Sequence, residues 1–219
     1  MVDTGASPEG PRVLGIDAAG RFGWVGVALD ATGVRSVILG PTVAGLIAEA
    51  EATLGGSLAA IGVDIPVGLV AAPTRSADVA ARAYVGPRRS SVFPAPHPDV
   101  LELTNYAEVN RRLVALGVPR MSRQGFGLFG RIREVAALAA DPRIIEAFPE
   151  ASFTAMADGT PPAYAKKTWG GLRERLDRLA AASPSIEVPA AVGAASAAGA
   201  DDVLDAAACA WSAWRFALG

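Results

Sequence analysis

Hydrophobic positions run in short stretches that mostly end at an acid or a glycine. Val13–Asp17 is apolar up to its aspartate, and Trp24–Asp30 and Val34–Gly40 repeat the pattern after glycine-containing turns. These three runs predict strands joined as an antiparallel meander. The helical pattern of "TVAGLIAEAEATL" follows, with Pro41 and Thr42 as start signals. "LAAIGVDIP" then returns to a strand that closes on Asp64. Strand, helix, strand in that order predicts a crossover that lays the fourth strand parallel to its neighbour. Beyond it, helices are expected over Ala77–Tyr84, Tyr106–Leu116 and Gln124–Ala140, with a proline-punctuated loop at "VGPRRSSVFPAPHP". A fifth strand is expected within Arg143–Phe153, ending near Glu146 to Glu150. A helix is expected at "KKTWGGLRERLDRLAAA", and a last one over Asp202–Leu218.

Taken together the pattern predicts an α/β fold: a mixed five-stranded central sheet with flanking helices and a helical insertion, about 70–140, between the fourth and fifth strands. In element order this is the ribonuclease H-like fold. Residues 1–12 read as a flexible leader and 13–219 as a single domain, a reasonable size for one core. The leader carries no secretory signal pattern, and no apolar run reaches membrane-spanning length, so the expectation is a soluble cytoplasmic protein with no membrane partner. Cys209 is the only cysteine, which leaves no disulfide framework and no thiolate zinc site. The net charge of -2 argues against a broad polycation while permitting a local basic groove.

The acids carry the chemistry. Asp17 and Asp64 each close a hydrophobic strand, and in a parallel pair both emerge at the same sheet edge, where open α/β sheets bind ligands. Asp202 and Asp205 stand three apart on the final helix and share a face. Asp205 lies past any capping position on an apolar stripe, whereas Asp201 or Asp202 has the milder explanation of capping the helix. Buried, unpaired carboxylates are costly unless a cation holds them. Converging carboxylates suit Mg²⁺ or Mn²⁺, and two such ions about 3.5–4 Å apart serve phosphodiester hydrolysis. The other reading of the same acids is caps, turns and loop solvation. Walker-type, G-x-S-x-G and H-E-x-x-H motifs do not occur. His97, the only histidine, reads as a loop residue, and Trp24, Trp169, Trp211 and Trp214 read as packing groups.

Seven blocks extend the picture: "GIDAAGRFGWVGV", "IGVDIPVGL", "VGPRRSSVFPAP", "MSRQGFGLFGRIREV", "IIEAFPEASF", "KKTWGGLRERL" and "DDVLDAAACAWSA". In register from about Val13 to the C-terminus, they resemble domain-of-unknown-function family 429, an uncharacterised bacterial family predicted to be ribonuclease H-like nucleases. The resemblance implies an acidic core of Asp17, Asp64 and Asp205, with Asp202 beside Asp205 much as in the paired C-terminal aspartates of Holliday-junction resolvases. It also implies a metal ligand or water-orienting base at Glu150. Phe148 departs from the family, whose members often carry histidine or tyrosine there. Arg88, Arg89, Ser90 and Ser91 are candidate phosphate contacts, as are Gln124, Lys166 and Lys167. Salt bridges in a stiffened loop, or helix-surface solubility, explain them equally well.

The expected activity is a metal-dependent nuclease that hydrolyses phosphodiester bonds in DNA or RNA by a carboxylate-held two-metal mechanism. The alternatives are an ATP-dependent phosphotransferase or ATPase of related fold, and a nonenzymatic nucleic-acid-binding or regulatory scaffold. Nothing in the sequence specifies an oligomeric state.

Overall fold

The computed structural model of the chain describes residues 10–219, so most of the expected leader falls outside them. The meander forms as the pattern predicts. β1 (Val13–Ala18), β2 (Trp24–Asp30) and β3 (Gly33–Gly40) pair antiparallel in chain order. After α1 (Val43–Leu54), capped by Thr42 Oγ1 on the Gly45 N–H, β4 (Ala60–Val63) pairs parallel with β1. β5 (Ile144–Glu146) adds to β4, also parallel, giving the order β3-β2-β1-β4-β5. The central strands are buried on both faces, which is why they read as unbroken apolar runs.

The stretch between β4 and β5 is the helical insertion. It holds α2 (Ser76–Val85), α3 (Tyr106–Ala115), α4 (Arg123–Gly127) and α5 (Phe129–Ala136). Two expectations change here. The single helix over 124–140 is broken at Leu128, because Gly125 and Gly127 are poor helix formers. The loop "VGPRRSSVFPAPHP" begins as a 3-10 helix over Gly86–Ser91.

A third change concerns the fifth strand, which covers only three residues. Pro149 then opens α6 (Pro149–Met156), since a proline lacking an N–H and locked in φ suits the first helical position. α7 (Trp169–Ala181) follows, and α8 begins two residues before the expected start, as Ala200–Leu218.

Each face of the sheet carries its own core. Leu14, Ile16, Ile61 and Val63 pack with α1 and the insertion helices. Val13, Val25 and Val27 pack with α7 and α8 on the other side. Helix α8 lies directly on β1 and β4 because two glycines leave it room. A Cβ on Gly15 would fall 2.0 Å from the Ala210 nitrogen, and one on Gly62 would fall 2.4 Å from the Cys209 carbonyl oxygen. Ala206, Ala207 and Ala210 are completely buried along this seam. The close approach brings the first turns of α8 to the C-terminal ends of β1 and β4. Of the four tryptophans, Trp24, Trp211 and Trp214 are buried as expected, but Trp169 is 81% exposed at the start of α7 and packs no core.

Candidate metal centre

Asp17 is the fifth residue of β1, Asp64 directly follows β4, and Asp205 sits in the second turn of α8. Strand alternation puts Asp17 on the same face as Gly15, against α8. The Asp64 N–H donates to the Ile16 carbonyl at 3.0 Å, which holds the two strand ends level. Each of the three aspartates offers a carboxylate oxygen within 4.8 Å of the others. Asp17 and Asp205 are only 6% and 3% exposed.

Such crowding opposes ionisation. Burial, then the negative charges of Asp64 and Asp205, holds the Asp17 carboxyl well above the ordinary carboxylate range. Burial and Asp205 push Asp64 up to about 8. Asp205 is raised by burial to about 6, restrained by the Lys166 ammonium. That ammonium donates to Asp205 Oδ2 at 2.5 Å and lies 3.7 Å from Asp201 Oδ2. Burial pulls Lys166 down, but Asp205, Asp17 and Asp201 together hold it above its ordinary value.

The cluster opens into a cavity of about 550 Å³. Asp202, Glu150, Arg88, Ser90, Ser91 and Gln124 stand on its wall, together with Lys166. Arg89 and Lys167 do not. Both are exposed, and Lys167 reaches Asp201 at 3.7 Å. Arg88 Nε donates to the Pro162 carbonyl at 2.8 Å, tying the 3-10 turn to the segment before α7. Asp202 lies outside the three-acid group; its Oδ2 accepts from the Gly199 N–H at 3.3 Å, the capping role open to it from sequence. Glu150 Oε1 accepts from Arg175 Nη2 at 2.6 Å, while Oε2 is buried and without a hydrogen-bond partner among the described residues. His97 stays structural: its Nδ1 accepts from the Asp99 N–H.

Two acids beside the centre escaped the sequence reading as site residues. Asp201 is one helical turn before Asp205, a spacing that was visible. Glu146 ends β5 as Asp17 and Asp64 end their strands, and it lines the same cavity. Its partner Arg75, 71 residues earlier, left no local signal.

Three carboxylates with no cation of full matching charge form an oxygen donor set that suits Mg²⁺ or Mn²⁺. Fold and site together therefore define an α/β protein with a candidate acidic metal centre at its parallel strand ends. The model of the family "Protein of unknown function (DUF429)" matches residues 15–219, and the chain belongs to that family. No curated protein matches it, and no solved structure does. Among the described residues, no helix is long and apolar enough to cross a membrane.

Proposed function

We propose that this chain is a divalent-metal-dependent nuclease on a ribonuclease H-like domain spanning residues 13–219, hydrolysing phosphodiester bonds in DNA or RNA. The convergence of Asp17, Asp64 and Asp205 at the mouth of a large cavity with basic and hydroxyl groups on its wall carries the reading. A Mg²⁺ or Mn²⁺ ion bound there would polarise a phosphoryl oxygen and ease deprotonation of water. The chain's own groups do the rest. Arg88, Ser90, Ser91 and Gln124 hold the scissile phosphate along the wall, and the exposed Arg89 and Lys167 meet the flanking backbone. Glu150, fixed through Oε1 by the buried Arg175 on the cavity wall, adds a negative charge beside the metal ligands. The water oxygen bonds to phosphorus and gives a proton to solvent in the cavity, while the opposite P–O bond breaks and the departing oxygen takes up a proton from solvent. Asp202 stiffens the start of α8 beneath these groups.

The reading is tested by incubating the purified chain and its Asp17→Asn variant with single- and double-stranded DNA and RNA, with Mn²⁺ or with a chelator. Cleavage by the wild type in Mn²⁺ only, reduced to background in the variant, is expected. Metal-dependent ATP turnover without cleavage would instead favour the phosphotransferase alternative. Metal binding with neither activity would favour a scaffold.

A further inference from the structure

Beside the three acids, a second pair of carboxylates already has a cation. Lys166 Nζ lies between Asp205 and Asp201, acids one turn apart on α8, at 2.5 Å and 3.7 Å. Asp201 Oδ2 is buried and accepts no hydrogen bond among the described residues, so positive charge alone compensates it. An acid shared with the first position plus a further acid is the donor set a second ion needs. Here an ammonium fills it.

The lysine is presented by a pinned backbone. Thr168 donates twice to the Ala165 carbonyl, through its N–H at 3.0 Å and its hydroxyl at 2.7 Å. Thr168 Oγ1 also caps α7 by accepting from the Gly171 N–H. A Cβ on Gly171 would fall 2.0 Å from the Ala165 oxygen, so only glycine allows this approach. These contacts fix the backbone next to Lys166 against the start of α7.

We infer that Lys166 takes the place of a second metal ion, so that the centre binds one divalent ion per chain and the lysine supplies the other positive charge at the phosphate. The inference rests on the metal reading above. It departs from the two-ion arrangement expected from sequence, because the ammonium already occupies the position between Asp205 and Asp201 that a second ion would need. The ammonium acts through its charge and transfers no proton.

Calorimetric titration of Mn²⁺ into the full chain decides it. The wild type is expected to bind one ion. Lys166→Met is expected to bind two, and Lys166→Met with Asp201→Asn to return to one. Two ions in the wild type, or one or none in a folded Lys166→Met variant, would overturn the inference. Should Lys166→Met not fold, Lys166→Gln replaces it, and the wild-type stoichiometry remains decisive by itself. Failure of the metal reading looks different: the wild type would bind no Mn²⁺, or an Asp17→Asn, Asp205→Asn double variant would bind it as well as the wild type.

Discussion

Two groups of acids sit at neighbouring strand ends, and they are built in opposite ways. At the end of β5, Arg75 Nη1 and Nη2 clasp both oxygens of Glu146 at 2.6 and 2.5 Å, and Nε and Nη2 both reach Asp78. The remaining Asp78 oxygen accepts from the Ala95 N–H, and the Val67 N–H donates to Glu146. Every carboxylate oxygen in this group has a donor. At the ends of β1 and β4, three aspartates crowd within 4.8 Å with a single lysine against one of them. The compensated group fastens the insertion to the sheet. The uncompensated group gains nothing for the fold, since like charges brought together out of water oppose it. That asymmetry separates a structural ion pair from a site kept for a ligand.

Removing charge should therefore act in opposite directions in the two places. The largest effect is expected from Asp17→Asn with Asp205→Asn. Mn²⁺ binding, read by calorimetry, should be lost by more than the roughly 100-fold that follows removal of an outer partner of a metal ligand. The metal-free double variant should unfold at a higher denaturant concentration than the wild type. Arg75→Ala comes next: it strands Asp78 and Glu146, and denaturant unfolding should show a loss of about 3–5 kcal/mol.

A smaller effect is a pH slope. Burial and neighbouring acids raise Asp64 to about 8 and Asp205 to about 6 from an ordinary 3.8. Between those values the native chain binds more protons than the unfolded chain, so stability of the metal-free protein falls as pH rises from 4 to 8. Thermal midpoints across this range should show the fall, which flattens in the double variant. Saturating Mn²⁺ should offset it, because the ion needs the deprotonated acids. The smallest change is expected at Arg173, whose pair with Asp177 is exposed on both sides. Arg173→Ala should leave the unfolding free energy within about 0.5 kcal/mol of the wild type.

Much of this was legible in the chain. The strand-end positions of Asp17 and Asp64, and Asp205 on an apolar stripe of small residues, follow from periodicity and are found as expected. The meander and the parallel fourth strand were readable for the same reason, since central strands bury both faces. Elements fixed by long-range partners were not. Three residues suffice for β5 because β4 supplies its pairing, whereas the sequence there runs on without a clear stop before Pro149. The Arg75–Glu146 clasp spans 71 residues with no local spacing to betray it. The exposure of Trp169 was hidden too, as composition does not tell an indole that packs from one that stands in water.

Crystals of the chain soaked in Mn²⁺, with anomalous diffraction recorded at the manganese edge, test the central claim most directly. A peak enclosed by the carboxylates of Asp17, Asp64 and Asp205 is the expected result. Bound manganese found only elsewhere, with the three aspartates still clustered around no peak, would contradict the account.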